Sequence, residues 1–225
     1  LEERDKINNQ VVSRQRVSDH GEVYTSEREV NAMLDLVKQE TERIESRFLE
    51  PACGTGNFLV QILRRKLNIV VNRYRKSQVE FERYAVIAVS SIYGVDILED
   101  NVEACRKRLL DLFEVGYKKL YKENIKIECL KSIEYILSYN IIWGDALTLK
   151  KVSEKKEPIV FSEWSPVNGS KIKRRDFTYE NLLEAEKSKI PGDLFADVYE
   201  TDPAFLPKPI KEYPLTHFLR ISDVE

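Results

Sequence analysis

Along this chain, short apolar runs alternate with longer stretches in which apolar residues recur every three or four positions. The first long stretch opens on Ser26. Ser26 and Glu29 have the spacing of a capping box, and Val30, Met33, Leu34 and Val37 fall on one helical face. After the run Phe48-Leu49, a helical pattern on Phe58, Leu59, Ile62, Leu63 and Leu67 continues towards Tyr74. A second helical pattern covers the region from Val79 to Ser91 and leads into the run from Ile92 to Asp96. Val102, Cys105, Leu109, Leu112 and Phe113 give one more amphipathic helix, and residues 117–139 read as helical in part. This alternation predicts an α/β domain with strands near residues 47–50, 92–96, 140–143 and 158–162.

Between the first predicted strand and the long helix lies Glu50-Pro51-Ala52-Cys53-Gly54-Thr55-Gly56-Asn57-Phe58. It reads as a strand end, a tight turn and a helix start. Gly54 and Gly56 carry no Cβ, so the backbone can turn sharply and a ligand can approach it closely. The helix after the turn directs its unpaired N–H groups and positive dipole end back at that place. In open α/β sheets such a turn, at the carboxyl edge, binds nucleotide-like ligands. A dinucleotide fingerprint is not the match, because Leu59 stands where the third glycine belongs. Two later runs also end in an acid, Gly94-Val95-Asp96 and Trp143-Gly144-Asp145.

Composition narrows the classes. The 225 residues are 42% apolar and 33% charged, which is globular composition without a disorder signature. The formal net charge of −2 gives no global basic field, so any nucleic-acid contact rests on local patches. Cys53, Cys105 and Cys129 are few, odd in number and widely spaced, which fits neither a disulfide frame nor a metal site. They suit a reducing cytoplasm, and no metal is expected. No apolar run is long enough to span a bilayer and no signal peptide is read, so no membrane partner is expected.

The stretch from Glu50 to Phe58 resembles motif I of the S-adenosylmethionine-dependent DNA adenine-N6 methyltransferases. Its usual form there is an acid followed by Pro-Ala-Cys-Gly-Thr-Gly-Asn-Phe. Tyr24-Thr25-Ser26 resembles the family's motif X, with Ser26 where the family usually has proline. Asp96-Ile97 resembles motif II, and Asp145-Ala146 resembles motif III. The resemblance implies a Rossmann-like methyltransferase fold with an incomplete sheet, and S-adenosylmethionine as cofactor. It further implies that Tyr24 and Thr25 help hold the methionine end, and that Glu50, Pro51, Ala52, Cys53, Gly54, Thr55, Gly56, Asn57 and Phe58 of the turn bind the cofactor. Asp96 would accept from the ribose hydroxyls beside Ile97; Asp145 would accept from the adenine amine, with the Ala146 backbone reading the ring edge. Asp96 follows the turn by more than the roughly 20 residues of a compact unit, which marks the two helical patterns between them as an insertion.

Catalysis in that family uses an Asn, Asp or Ser, then Pro-Pro, then an aromatic residue, to polarise the amine of a flipped-out adenine and stack on its ring. This chain contains no Pro-Pro. Asp202-Pro203-Ala204-Phe205 keeps the acid, one proline and the aromatic, and follows a predicted strand from Leu194 to Tyr199, so Asp202, Pro203 and Phe205 are the candidate catalytic residues. A competing reading makes residues 202–214, with four prolines, an extended surface tail. Trp164-Ser165-Pro166-Val167 is a weaker second match.

The resemblance marks residues 21–165 as a cofactor-binding domain, after a loose N-terminal arm at 1–20 and before a charged, proline-containing region at 166–225. Two functions remain open: an adenine-N6 methyltransferase of a restriction–modification type, or a non-catalytic cofactor-binding module that supports a partner enzyme. A methyltransferase acting on RNA or on protein glutamine is a third, minor reading. Expected partners are DNA and other restriction–modification subunits. The run Lys171-Ile172-Lys173-Arg174-Arg175 reads either as a solvated loop face or as a phosphate contact.

Overall fold

The computed structural model describes residues 25–187 and 207–224. The first helix, α1 (Glu27–Asp35), starts at the expected capping box: the Glu29 N–H donates to Ser26 Oγ, and the Ser26 N–H donates to Glu29 Oε2 at 3.1 Å. Only Val30 and Leu34 of its predicted apolar face are buried; Met33 and Val37 are exposed. The helix stops at Asp35, and Arg65 fixes it by donating to the Asn31 carbonyl and pairing with Asp35 at 2.8 Å. A single turn, α2 (Lys38–Thr41), leads into the sheet.

Strands β1 (Phe48–Glu50), β2 (Ile92–Asp96) and β3 (Ile141–Asp145) are parallel and adjacent in that order, and β4 (Lys150–Lys151) closes the row antiparallel to β3. Each parallel step needs a crossover, and helices supply both. The first crossover holds α3 (Asn57–Tyr74) and α4 (Gln78–Ser90), which is the expected insertion between the turn and Asp96. The second holds α5 (Glu99–Tyr121) and α6 (Ile127–Asn140). β2 is buried along its whole length, as a strand covered on both faces must be. Leu59, Leu63, Val70, Phe81, Ala85, Val89, Ile92, Leu109, Phe113, Ile133 and Ile136 pack into one core with it. Each large buried side chain contributes about 1.5–3 kcal/mol relative to exposure.

Two expectations are corrected by the second sheet. The strand predicted near 158–162 does not join the parallel sheet. It is β5 (Val160–Val167), which pairs antiparallel with β6 (Lys171–Thr178) through the tight turn at Gly169, φ +67°. A turn this short cannot return the chain for a parallel pairing, which needs a dozen or more residues. The basic run Lys171–Arg175 is the first part of β6 rather than a loop, and its alternation sends Arg174 inward. The Arg174 guanidinium forks onto both oxygens of Asp176 at 2.9 Å. Its face lies 3.8 Å from the Tyr139 ring centre and 4.1 Å from that of Tyr213. Lys173 pairs with Glu212, and Arg175 with Glu163.

After α7 (Tyr179–Lys187), the described part of the expected tail is ordered against this sheet. Strand β7 (Lys211–Glu212) and strand β8 (Thr216–His217) both pair with β6, and Tyr213 is buried with its hydroxyl donating to Asp176. The prolines at 207, 209 and 214 stand beside these short strands and leave the ladder bonds to other residues. A closing 3₁₀ segment, Phe218–Asp223, buries Phe218 and Ile221 in the same core as the parallel sheet. The boundary read at 165/166 therefore falls within β5. No helix of the described residues is long and apolar enough to cross a membrane.

Candidate functional site

All three parallel strands finish on an acid: β1 on Glu50, β2 on Asp96 and β3 on Asp145. The three acids line one cleft of about 660 Å³ at the carboxyl edge of the sheet. The turn after β1 forms one of its walls. The Cys53 N–H donates to the Val95 carbonyl at 2.9 Å, and the Gly56 N–H to the Cys53 carbonyl at 2.8 Å, which folds the turn back on β2. Gly54 and Gly56 take φ of +51° and +87°, the left-handed region that favours glycine. A Cβ on Gly56 would also sit 2.6 Å from Cys105 Sγ. Gly56 caps α3 without a side-chain bond, so the first-turn N–H groups of that helix have no side-chain acceptor from the cap.

Asp96 is buried and holds the turn. Its Oδ2 accepts from the Gly54 N–H at 2.8 Å, while Oδ1 accepts from the Leu98 N–H at 2.9 Å and from Asn101 Nδ2 at 3.2 Å. A carboxylate oxygen can accept two bonds, so Oδ2 keeps acceptor capacity towards the cleft. Asp145 accepts from the Leu147 N–H and the Thr148 hydroxyl, both at 2.9 Å, and these two bonds hold its carboxyl below the usual carboxylate range. Half-burial pushes the Glu50 carboxyl upwards, partly offset by the Ala52 N–H. Cys53 donates no charge: contact with Cys105, then burial, push its thiol up, which leaves it a poor nucleophile.

Of the residues singled out in the sequence, Thr25, Glu50, Pro51, Ala52, Cys53, Gly54, Thr55, Asn57, Phe58, Asp96, Ile97, Asp145 and Ala146 all line this cleft. Gly56 lies in the turn behind it. Tyr24, Asp202, Pro203 and Phe205 lie outside the described residues. The weaker catalytic match does not reach the cleft: Trp164 is buried, donating to Asn140 Oδ1 at 2.9 Å, and Ser165 accepts from Arg175. Sequence reasoning missed Leu98, Asn101, Gly144 and Leu147, which also line it. Leu98 and Leu147 follow the strand-end acids closely, and that proximity was the available signal. No Lys or Arg is among the described lining residues, and no group of three or more His, Cys, Asp or Glu among the described residues could hold a metal ion.

A sequence model of the family described as "MmeI, DNA-methyltransferase domain" matches residues 24–157, more than half of the chain and every described residue of the cleft. The chain belongs to this family. A protein of Methanocaldococcus jannaschii named "Putative type II restriction enzyme and methyltransferase" is 34% identical over 108 residues. That alignment covers 45% of this chain and 8% of the relative, so the chain corresponds to a small part of the relative's length. No solved structure gives a significant match. The cleft, with its turn and three acids, lies wholly within the matched DNA-methyltransferase domain.

Proposed function

We propose that the chain is the S-adenosylmethionine-binding part of a DNA adenine-N6 methyltransferase of a restriction–modification type, with a Rossmann-like fold. The observation that carries this reading is the charge of the cleft: Glu50, Asp96 and Asp145 line it with no Lys or Arg among the described lining residues. Such a lining disfavours a polyphosphate or dinucleotide and suits a ligand that carries positive charge and a diol. S-adenosylmethionine has a sulfonium, an ammonium and two ribose hydroxyls, and its one carboxylate suits the open N-terminus of α3. The residues present fit it. Glu50 and the turn from Pro51 to Phe58 would hold the methionine end beside Thr25. Asp96 with Ile97 would hold the ribose, and Asp145 with Ala146 the adenine. When bound, the group supplies an electrophilic methyl for transfer to an amine.

Asp145 bears on which nucleobase the cofactor carries. Its carboxylate is an acceptor only, so it pairs with an amine donor and leaves a carbonyl edge unsatisfied. Adenine as the methylated base, DNA as substrate and restriction–modification subunits as partners rest on the motif resemblance and on the named relative. Asp202, Pro203 and Phe205 remain the proposed catalytic residues.

A second reading, a non-catalytic module supporting a partner enzyme, is favoured by two observations. The chain has no Pro-Pro, and among the described residues β1 pairs only with β2. One experiment separates the two. Binding is measured calorimetrically with S-adenosylmethionine, ATP and NAD, and labelled methyl transfer to unmethylated DNA is then followed for wild type and Asp202→Ala. Binding of S-adenosylmethionine alone, with transfer by wild type only, is the outcome expected for an enzyme. Binding without transfer assigns the module. A preference for ATP or NAD overturns the cofactor reading.

A further inference from the structure

We propose that Arg108 is a positioning residue that clamps the cofactor turn. This rests on the reading of the cleft as the S-adenosylmethionine site. Arg108 lies on the exposed side of α5, far from the turn in sequence, and does not line the cleft. Its neighbour Lys107 pairs along the helix with Asp111. Arg108 instead reaches across, and its Nη1 donates to the Thr55 carbonyl at 2.7 Å, to Thr55 Oγ1 at 3.0 Å and to Asn57 Oδ1 at 2.8 Å. One nitrogen has two hydrogens, so these three contacts share them, with the two Thr55 oxygens forming a natural fork. Asn57 passes the constraint on, because its Nδ2 donates to the Thr25 carbonyl at 3.2 Å.

A single exposed guanidinium thereby joins α5, the glycine turn and Thr25, just ahead of α1. All three acceptor residues, Thr55, Asn57 and Thr25, line the cleft. The turn needs such a clamp. Gly54 and Gly56, which hold it in the left-handed region, lose more conformational freedom on ordering than any other residue type. From the other side the turn is held by Asp96 through Gly54. Asp96 fixes its cofactor-facing root; Arg108 fixes its outer half. Charge-assisted donors are the stronger class, and here three acceptors converge on one guanidinium nitrogen.

The test uses the full chain as wild type, Arg108→Met and Arg108→Lys. Calorimetry reads the affinity for S-adenosylmethionine, amide hydrogen exchange without ligand reads the turn, and thermal unfolding reads the fold. Arg108→Met should weaken binding by about tenfold or more and speed exchange at residues 54–59, with the melting temperature close to wild type because the side chain is exposed. Arg108→Lys, which keeps a charged donor, should recover part of both. An Arg108→Met chain that binds as tightly as wild type, or whose turn exchanges no faster, overturns the proposal. So does an Arg108→Lys chain no better than Arg108→Met. Wild type that fails to bind S-adenosylmethionine overturns the cofactor reading, and the exchange measurement still decides whether Arg108 holds the turn.

Discussion

Asp96 and Gly54 lie 42 positions apart in sequence, yet the Asp96 carboxylate accepts the Gly54 amide proton at 2.8 Å. One bond therefore ties the end of the second strand to the turn after the first. The acid proposed to hold the cofactor ribose also shapes the cleft wall by fixing Gly54. Loss of this side chain should affect folding and binding together.

Asp96→Asn separates charge from shape. The amide retains one acceptor oxygen, but its NH₂ must face a donor, either the Gly54 N–H or the Leu98 N–H with Asn101. We expect stability to fall by about 1–3 kcal/mol, read from the urea midpoint, because a buried donor is left without its acceptor. On the proposed reading, S-adenosylmethionine affinity falls as well. An Asp96→Asn chain with wild-type stability would mean that the carboxylate does not hold the turn.

Gly56→Ala combines two penalties. The φ of +87° costs a residue with a Cβ about 1–2 kcal/mol, and that Cβ would lie 2.6 Å from Cys105 Sγ. Overpacking of this kind adds about 1–3 kcal/mol. The two parts are separable in a double variant: Cys105→Ala should relieve the clash and leave the backbone strain. Denaturant midpoints of the single and double variants give both values.

Lys66 predicts a pH dependence. Its ammonium is buried and donates to the Ile44 carbonyl at 3.0 Å, to Ser91 Oγ at 2.6 Å and to the Ser46 carbonyl, and burial lowers its pKa from the ordinary value near 10.5 to about 7. Below pH 7 both states hold the proton, and the folded state bears the cost of burying the charge. Between about 7 and 10.5 the folded state releases the proton while the unfolded chain keeps it, so stability rises with pH there. The buried thiols of Cys53 and Cys129, whose pKa values are raised, act in the opposite direction as the unfolded thiols ionise. The clean measurement is the difference between wild type and Lys66→Met at pH 7 and pH 9.5. That difference should move in favour of wild type at the higher pH.

Arg174→Met should cost about 3–5 kcal/mol, because it strands the Asp176 carboxylate, which is buried and bonded to Ser162, Arg174 and Tyr213. The melting temperature checks this. A variant that melts with wild type would restore the view of this basic run as a solvated face.

The sequence by itself determined the elements that depend on near neighbours. The capping box at Ser26 and Glu29, the glycine turn, the helical faces and the acids at the strand ends are all set within about ten residues, where local sterics and burial periodicity decide the outcome. Thirteen of the expected site residues lie on these elements, and the parallel pairing of β1, β2 and β3 gathers them into one cleft. The tertiary structure alone decided how distant pieces meet. The strand expected near 158–162 is part of β5, and the tight turn at Gly169 selects an antiparallel partner. A charge count could not tell that Arg174 points inward; within β6 the alternation puts Ile172, Arg174 and Asp176 on the buried face. Nothing in the local pattern of α5 distinguishes Arg108 from Lys107; only the packing of α5 against the turn 53 residues earlier brings its guanidinium to Thr55. Local rules place a side chain on an element, and the register between elements decides what it touches.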